Sequence, residues 1–169
     1  EGHYIITGSV SPENQPSNLR VSLLNNSAYD LSGARFLLST LIKVCNLLNE
    51  EQGVNGGKAR WQSLLDALPP YQINEDGAIK EWGWPGLAES YNHRHSSHLM
   101  MVWPYREFSE GRTPELYKAA HRALQMRDRH NYENAGHGFL LAALMAGGLD
   151  DDASLKNMLL TQPQKAFYV

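Results

Sequence analysis

The densest group of reactive side chains in this sequence lies between residues 91 and 99. Three imidazoles, a guanidinium, an amide and two hydroxyls lie within this segment, and tryptophan and tyrosine residues flank it. A polyhydroxylated ligand needs directional hydrogen-bond partners for its hydroxyls and flat apolar surfaces for its C–H faces. We therefore predict a pocket for such a ligand. Its candidate binding residues are Trp82, Trp84, Tyr91, His93, Arg94, His95 and His98.

A metal site is the obvious alternative for this histidine segment. His93, His95 and His98 lie at positions i, i+2 and i+5. That spacing does not match the i, i+4 pair of a helical zinc site, and no cysteine lies nearby. The cation of Arg94, between two of the histidines, also opposes a divalent ion, so we predict no metal. In a third interpretation, the histidines only hydrogen-bond to nearby loop backbone.

Glu13 is the main candidate for acid–base chemistry. It follows Pro12, which restricts the backbone of the loop and so directs the next side chain. A glutamate in an apolar, aromatic-lined pocket has its protonated form favoured, as a general acid requires. The alternative is structural, because Ser-Pro-Glu is also an ordinary turn or helix-start sequence.

A second polar group lies in the last third of the chain. Glu133 lies in a polar loop, and His137 follows between Gly136 and Gly138. At the N-terminus of a helix the dipole disfavours the cationic form of a histidine, and flanking glycines let the backbone approach a ligand closely. Catalysis and helix capping both remain possible roles for this loop.

Composition excludes several functional classes. The chain has 169 residues, of which 42% are hydrophobic and 20% charged, with a net charge of −3. These values are typical of a globular domain with a sizeable core. No basic block indicates nucleic acid or anionic lipid, and no apolar run approaches the length of a membrane span. The single cysteine, Cys45, cannot form an internal disulfide and is predicted to be buried.

Apolar periodicity predicts helices in the first half of the chain. Residues 1–27 are rich in Gly, Pro, Asn and Ser, which predicts an irregular lead-in. The first helix is predicted over about residues 29–51, with Gly53 as its C-terminal stop. A second helix ends before residues 69–70, because these two prolines cannot continue it. Residues 71–80 predict a short β-hairpin.

Three more helices are predicted in the second half. Thr113 caps the first, and residues 135–149 are apolar nearly all round, which predicts a helix buried on most sides. The last begins at residues 150–152 and ends near Pro163. We therefore predict one all-α domain, residues 1–169, of helix pairs packed in layers as in an α/α barrel or solenoid. The sequence has no 20–50-residue repeat, which disfavours a repeat solenoid.

Several short motifs follow one another in a distinctive order. They are Ser-Pro-Glu-Asn at 11–14, Leu-Pro-Pro-Tyr-Gln-Ile at 68–73, Lys-Glu-Trp at 80–82, His-Arg-His-Ser-Ser-His-Leu at 93–99 and Thr-Pro-Glu-Leu at 113–116. In these motifs and their order the chain resembles glycoside hydrolase family 95, whose members are α-L-fucosidases and related α-L-galactosidases. The resemblance extends over about residues 9–155.

The resemblance implies roughly half of an (α/α)6 barrel that hydrolyses terminal α-L-fucosyl or α-L-galactosyl linkages with inversion, without a cofactor. Glu13 matches the general acid of the family, and Arg94 and His95 match residues that contact the sugar. His93 and His98 would then brace the loop. In the family, asparagines upstream of the acid, polarised by an aspartate, activate the water; no counterpart precedes Glu13 here. Glu133 is the candidate for the base side.

The resemblance also sets expectations for partners. Because the chain begins at Glu1 without an initiator methionine or a signal peptide, we expect a piece of a longer polypeptide that is inactive alone. Its expected partners are a glycan substrate and the N-terminal half of the same barrel, with neither nucleic acid nor membrane. The family association suggests an extracellular or periplasmic location. The alternative function is a glycan-binding domain that has lost the catalytic base.

Overall fold

The computed structural model describes residues 2–52, 56–130 and 136–166. Helices are its main secondary structure, as predicted. The α-helices are α1 (Ala28–Leu48), α2 (Gly57–Asp66), α3 (Pro114–His130), α4 (Gly136–Gly148) and α5 (Asp152–Ala166), and the strands are β1 (Thr7–Ser9) and β2 (Leu24–Asn25). Residues Ser97–Leu99 form one 3-10 turn.

The lead-in is more regular than predicted, because β1 and β2 pair as a two-stranded antiparallel sheet. Thr7 lies opposite Asn25, and Ser9 lies opposite Leu24 after an irregularity in the register. The Ser9 hydroxyl also accepts a hydrogen bond from the backbone N–H of Ser27, at 2.8 Å. Together these contacts close the loop between the strands at its base, and this loop carries Glu13.

Helix α1 confirms the first predicted helix. The Ser27 side chain caps it by accepting a hydrogen bond from the backbone N–H of Asp30 at 3.1 Å, so one orphan donor of the first turn is satisfied. The helix ends earlier than predicted. Asn49 adopts a left-handed backbone (φ 56°) and terminates it, a role that we had assigned to Gly53, which lies outside the described residues.

Helix α1 has one anchored side and one open side. The Arg35 guanidinium donates to the carbonyl of Pro69 at 2.8 Å, which fixes that side to the loop after α2. Contrary to our prediction, the helix is long and apolar enough to cross a membrane, by length and composition alone. The core helix of a globular domain can pass the same test, and 17% of the apolar window of α1 is buried within this chain. The exposed apolar residues of the other side are Phe36, Leu37, Val44, Leu47 and Leu48.

The predicted hairpin exists as a tight turn with a single β-bridge. Ile73 and Ile79 form the bridge, and the N–H of Lys80 donates to the carbonyl of Gln72 at 2.8 Å. Gly77 has a φ of 83°, a conformation that favours glycine in the turn. The hairpin docks on α3, because the N–H of Ile79 donates to the carbonyl of Ala119.

The core lies between α3, the histidine segment and α4. Helix α3 presents a stripe of mostly small residues to it, and Leu116 on that stripe is only partly buried. The fully or nearly fully buried members of this stripe are Ala119, Ala120, Ala123 and Leu124. Small side chains let neighbouring segments approach α3 closely.

Helix α4 is less buried than predicted. Met145 and Ala146 are fully buried, but Leu140 and Leu144 are 62% and 43% exposed. The prediction was wrong because composition cannot show whether a neighbour covers each side. Helix α5 packs on α4. It continues through Pro163 to Ala166, so its predicted end near Pro163 was too early.

Candidate active site

Glu13 lies in the loop between β1 and β2, with an unusual backbone. Its φ is 57°, in the left-handed region that residues other than glycine seldom adopt. The turn is closed by the N–H of Asn14, which donates to the carbonyl of Ser11 at 3.1 Å. A strained residue of this kind persists only where its surroundings hold it, and such residues cluster at functional sites.

The Glu13 carboxylate contacts two residues of the histidine segment. The Arg94 guanidinium donates to Oε2 of Glu13, and Nε2 of His95 lies 3.0 Å from the same oxygen. The structure therefore brings Glu13 to two other predicted site residues, Arg94 and His95, which lie 81 and 82 positions later in the sequence.

The surroundings of Glu13 differ from the apolar pocket that we predicted. Its side chain is 61% exposed and lies among cationic and imidazole groups. The hydrogen bond from His95 and the charge of Arg94 lower the pKa of Glu13 below its ordinary value. In this state of the molecule Glu13 is therefore an ionised carboxylate.

His93 contacts the Glu13 loop, whereas the resemblance implied a brace for the histidine segment, a role that stays a prediction. Its Nε2 lies 3.3 Å from the carbonyl oxygen of Pro12, and its ring meets that of His95 edge to face at 5.2 Å. Burial and the charge of Arg127 lower the pKa of His93, so the ring is neutral. A neutral ring can donate from Nε2 to the Pro12 carbonyl.

Beneath this loop lies a buried polar group that we call the Glu81 cluster: Ser11, Asn14, Glu81, His98 and Arg127. Glu81 is 1% exposed and accepts three side-chain hydrogen bonds. The distances are 2.5 Å from Ser11 Oγ, 2.9 Å from Asn14 Nδ2 and 2.7 Å from Arg127 Nη2. Burial raises the pKa of Glu81, but the charge of Arg127 and these hydrogen bonds outweigh it, and the net pKa is lowered. Glu81 is therefore a buried carboxylate paired with a buried guanidinium.

His98 completes the cluster as a neutral ring. It is fully buried, and its Nδ1 lies 3.2 Å from Nη2 of Arg127. Burial and the charge of Arg127 lower the pKa of His98 to about 3. The 3.9 Å approach of His98 to Glu81 is therefore not an ion pair near neutral pH.

Other predicted site residues have different surroundings. Trp82 is fully buried and pairs with Ser27 in a β-bridge, so its predicted role of stacking on a ligand is wrong. Trp84 is 40% exposed and remains available to a ligand. Tyr91 is partly buried, and its hydroxyl donates to Asp76 at 2.6 Å. Glu133 and the side chain of His137 lie outside the described residues.

Among the described residues, Glu13 belongs neither to a group of metal ligands nor to the cavity beside the hairpin. In the three described ranges, no three His, Cys, Asp or Glu side chains converge as metal ligands. A cavity of about 640 Å³ lies between the hairpin and residues 86–91; Tyr91 lines it, but Glu13 does not.

Gly138 makes close contact with the histidine segment. A Cβ atom at this position would lie 2.1 Å from the carbonyl oxygen of Arg94. We predicted that the glycines beside His137 allow a ligand to approach. For Gly138 the approaching group is the backbone of Arg94.

Replacement of Gly138 by alanine should therefore displace Arg94. We expect Gly138→Ala to lower the free energy of unfolding by about 1–3 kcal/mol, the usual cost of overpacking. Urea unfolding of the domain that contains these residues measures it. Gly111→Ala is the matched control, because nothing lies within 4 Å of a Cβ there. Equal effects of the two substitutions would contradict the close contact.

The Glu81 cluster was not predicted, although one signal for it was present in the sequence. Arg127 follows Ala123 and Leu124 by four and three positions, so it continues the buried stripe of α3. A charged residue on an apolar stripe predicts a buried partner of opposite charge. Nothing local in the sequence identifies Glu81 as that partner, because it lies 46 positions earlier.

Glu89 is a second unpredicted carboxyl group beside the cluster. Its two oxygens lie 3.1 and 3.2 Å from the backbone nitrogen of Glu81, whose N–H donates to them. Burial and the charge of Glu81 raise the pKa of Glu89 to about 7. The folded protein therefore favours protonated Glu89 over a pH range in which an unfolded chain has it ionised.

This raised pKa predicts a pH-dependent effect. The stability contribution of Glu89 is present below pH 4.5 and is lost as the pH rises through 7. We expect Glu89→Gln to raise the free energy of unfolding by about 2 kcal/mol at pH 8 and to leave it nearly unchanged at pH 4.5. Urea unfolding at both pH values measures the difference. The exposed Glu75→Gln is the control, and a pH-independent effect of Glu89→Gln would contradict the raised pKa.

Comparison with known proteins places this site in a family. The glycosyl hydrolase family 95 catalytic domain matches residues 1–166, so the chain belongs to this family, as the motifs predicted. The chain is also similar to alpha-L-fucosidase 2 of Arabidopsis thaliana, with 28% identity over 122 residues. That match covers 70% of this chain and 14% of the plant protein. The chain therefore corresponds to a small part of the curated relative.

Proposed function

We propose that this chain forms the acid side of the active site of a glycoside hydrolase that removes terminal α-L-fucosyl or α-L-galactosyl groups with inversion. The observation that supports it best is the contact of Glu13 with Arg94 and His95 in a chain of family 95. Arg94 and His95 would bind sugar hydroxyls, and Trp84 offers an exposed aromatic face.

In the proposed reaction Glu13 donates its proton to the glycosidic oxygen as the bond to the anomeric carbon breaks. Water attacks that carbon from the opposite face and gives its proton to a base. The two groups of an inverting enzyme are about 6.5–9.5 Å apart, which leaves room for the water. Glu133 is our candidate for the base side within this chain, and upstream asparagines of the longer protein are the alternative.

The ionised state of Glu13 is consistent with this role in a ligand-free site. A bound sugar would take hydrogen bonds from Arg94 and His95 and so remove the two contacts that lower the pKa of Glu13. The sugar would also bury the carboxyl group, which raises its pKa further. Glu13 would then take up the proton that it donates to the leaving group.

The exposed apolar surfaces support a larger catalytic domain. Leu47 on α1 and Leu140 on α4 are 71% and 62% exposed, and Leu160 on α5 is 61% exposed. Several exposed apolar side chains on one small domain indicate a surface that another segment covers. We propose that the rest of an (α/α)6 barrel covers these helices, and that the chain alone has no turnover.

The direct test is hydrolysis by the longest natural polypeptide that contains these residues. We expect release of L-fucose or L-galactose from α-linked oligosaccharides, with the β-anomer formed first, as followed by proton NMR. An α-D-glucoside is the control substrate. Release of neither sugar would overturn the proposal.

A glycan-binding role without catalysis is the second candidate. It is favoured by the paired, ionised carboxylate of Glu13 and by the absence of an identified base within the described part of the chain. Calorimetry would then detect binding of an α-L-fucosyl oligosaccharide that is recovered uncleaved.

A further inference from the structure

We propose that Glu81 is a positioning residue for Glu13, which it holds through the two neighbours of that residue in the loop. This proposal rests on the proposed function of Glu13 as the proton donor. Glu81 is 1% exposed, so it does not itself contact a substrate.

A single carboxylate holds the Glu13 loop on both sides. Oε1 of Glu81 accepts the hydroxyl of Ser11, two residues before Glu13, and Oε2 accepts the amide of Asn14, the residue after it. Glu13 itself is in a left-handed conformation that residues other than glycine seldom adopt. The loop therefore needs anchors on each side of Glu13, and Glu81 provides both.

Glu81 is itself held rigidly. Arg127 donates to it at 2.7 Å, and the Glu81 carbonyl accepts the N–H of Ala28 at the start of α1 at 2.8 Å. Its own N–H is bound by Glu89. The anchor of the loop is thus fixed to α3 and to α1.

The same cluster also fixes the start of the histidine segment. Nη1 of Arg127 donates to the carbonyl of Ser90 at 2.7 Å, and the amide of Asn14 donates to that carbonyl at 3.2 Å. The Glu81 cluster therefore holds both the loop of Glu13 and the segment that carries Arg94 and His95. Loss of the charge of Glu81 should change the position of Glu13 relative to Arg94 and His95.

The test is Glu81→Gln in the longest natural polypeptide. A glutamine can still accept from Ser11, but its NH2 group faces the donors of Asn14 and Arg127. We expect kcat for an α-L-fucosyl oligosaccharide to fall 10- to 100-fold, with KM changed less than threefold. A displacement of about 1 Å can have an effect of this size.

The leaving group separates positioning from general loss of structure. An α-L-fucosyl fluoride needs little proton donation, so Glu81→Gln should lower its kcat less than threefold. Ser11→Ala, which removes one anchor, should show the same selectivity with a smaller loss. Glu107→Gln is the control, because Glu107 is a partly buried glutamate that accepts the Tyr71 hydroxyl at 2.7 Å, away from this loop. Equal losses on both substrates would overturn the proposal.

A second measurement does not depend on activity. Carbon-13 NMR titration of the Glu13 carboxyl should show its lowered pKa moving toward 4.5 in Glu81→Gln, because the loop no longer holds Glu13 against Arg94 and His95. In Glu107→Gln the titration should be unchanged. An unchanged pKa of Glu13 in folded Glu81→Gln overturns the positioning role. Absence of hydrolysis by the wild-type protein, with the expected titration result, overturns only the proposed function.

Discussion

Replacement of Glu13 by glutamine is expected to lower kcat for an α-L-fucosyl oligosaccharide by about 10²–10⁴-fold, the range typical of general acid catalysis. Glutamine has no proton to donate to the glycosidic oxygen, so the leaving sugar would depart as an unstabilised anion. KM should change only a few-fold, because Arg94 and His95 remain to hold the sugar. Steady-state kinetics of the longest natural polypeptide measure both constants.

The size of the loss should depend on the leaving group. With an activated substrate, such as an α-L-fucosyl fluoride, the effect of Glu13→Gln should be much smaller than with an oligosaccharide. The exposed Glu110→Gln serves as the matched control and should leave both activities unchanged. Because the Glu13 side chain is 61% exposed and solvent screens its ion pair, the substitution should change the free energy of unfolding in urea only slightly. An oligosaccharide kcat near the wild-type value would show that Glu13 is not the acid.

The helices of this chain were largely predictable from local patterns. Each α-helix overlaps a segment whose apolar periodicity or capping residues predicted it. The ends of helices were less predictable. Asn49 ends α1 through a left-handed backbone, and Pro163 does not end α5. The sequence allows a helix either to end or to continue at residues such as these two, and the packing around them selects the outcome.

The surroundings of the site residues were not predictable in the same way. Trp82 lies in a polar motif and was expected to face a ligand. It is instead fully buried, and its backbone forms a β-bridge with Ser27. Glu13 was expected in an apolar pocket, but Arg94 and His95 surround it. Burial and pKa depend on contacts between segments far apart in the sequence, and periodicity within one segment carries no information about them.

Arg127→Met should be the most destabilising of the substitutions considered for this domain. We expect a loss of about 3–5 kcal/mol in the free energy of unfolding, since removal of one partner leaves the buried charge of Glu81 uncompensated. Arg127 also donates to the carbonyl of Ser90, which would lose the shorter of its two side-chain hydrogen bonds. Urea unfolding of the domain that contains these residues, followed by tryptophan fluorescence, measures the loss.

Two comparisons separate the buried ion pair from the loss of an arginine in general. Arg122 lies on the same helix, and its guanidinium makes an exposed hydrogen bond to the carbonyl of Asp76. Arg122→Met should therefore lower the free energy of unfolding by less than about 1 kcal/mol. In a Glu81→Leu background, Arg127→Met should cost at least about 2 kcal/mol less than in the wild type, because no buried carboxylate is then left unpaired. Without the charge of Arg127 the pKa of Glu81 should rise, so the variant takes up a proton at a higher pH than the wild type, and the cost of Arg127→Met should shrink as the pH falls through that higher pKa. Equal costs in both backgrounds would mean that packing of Arg127, and not its charge, stabilises the cluster.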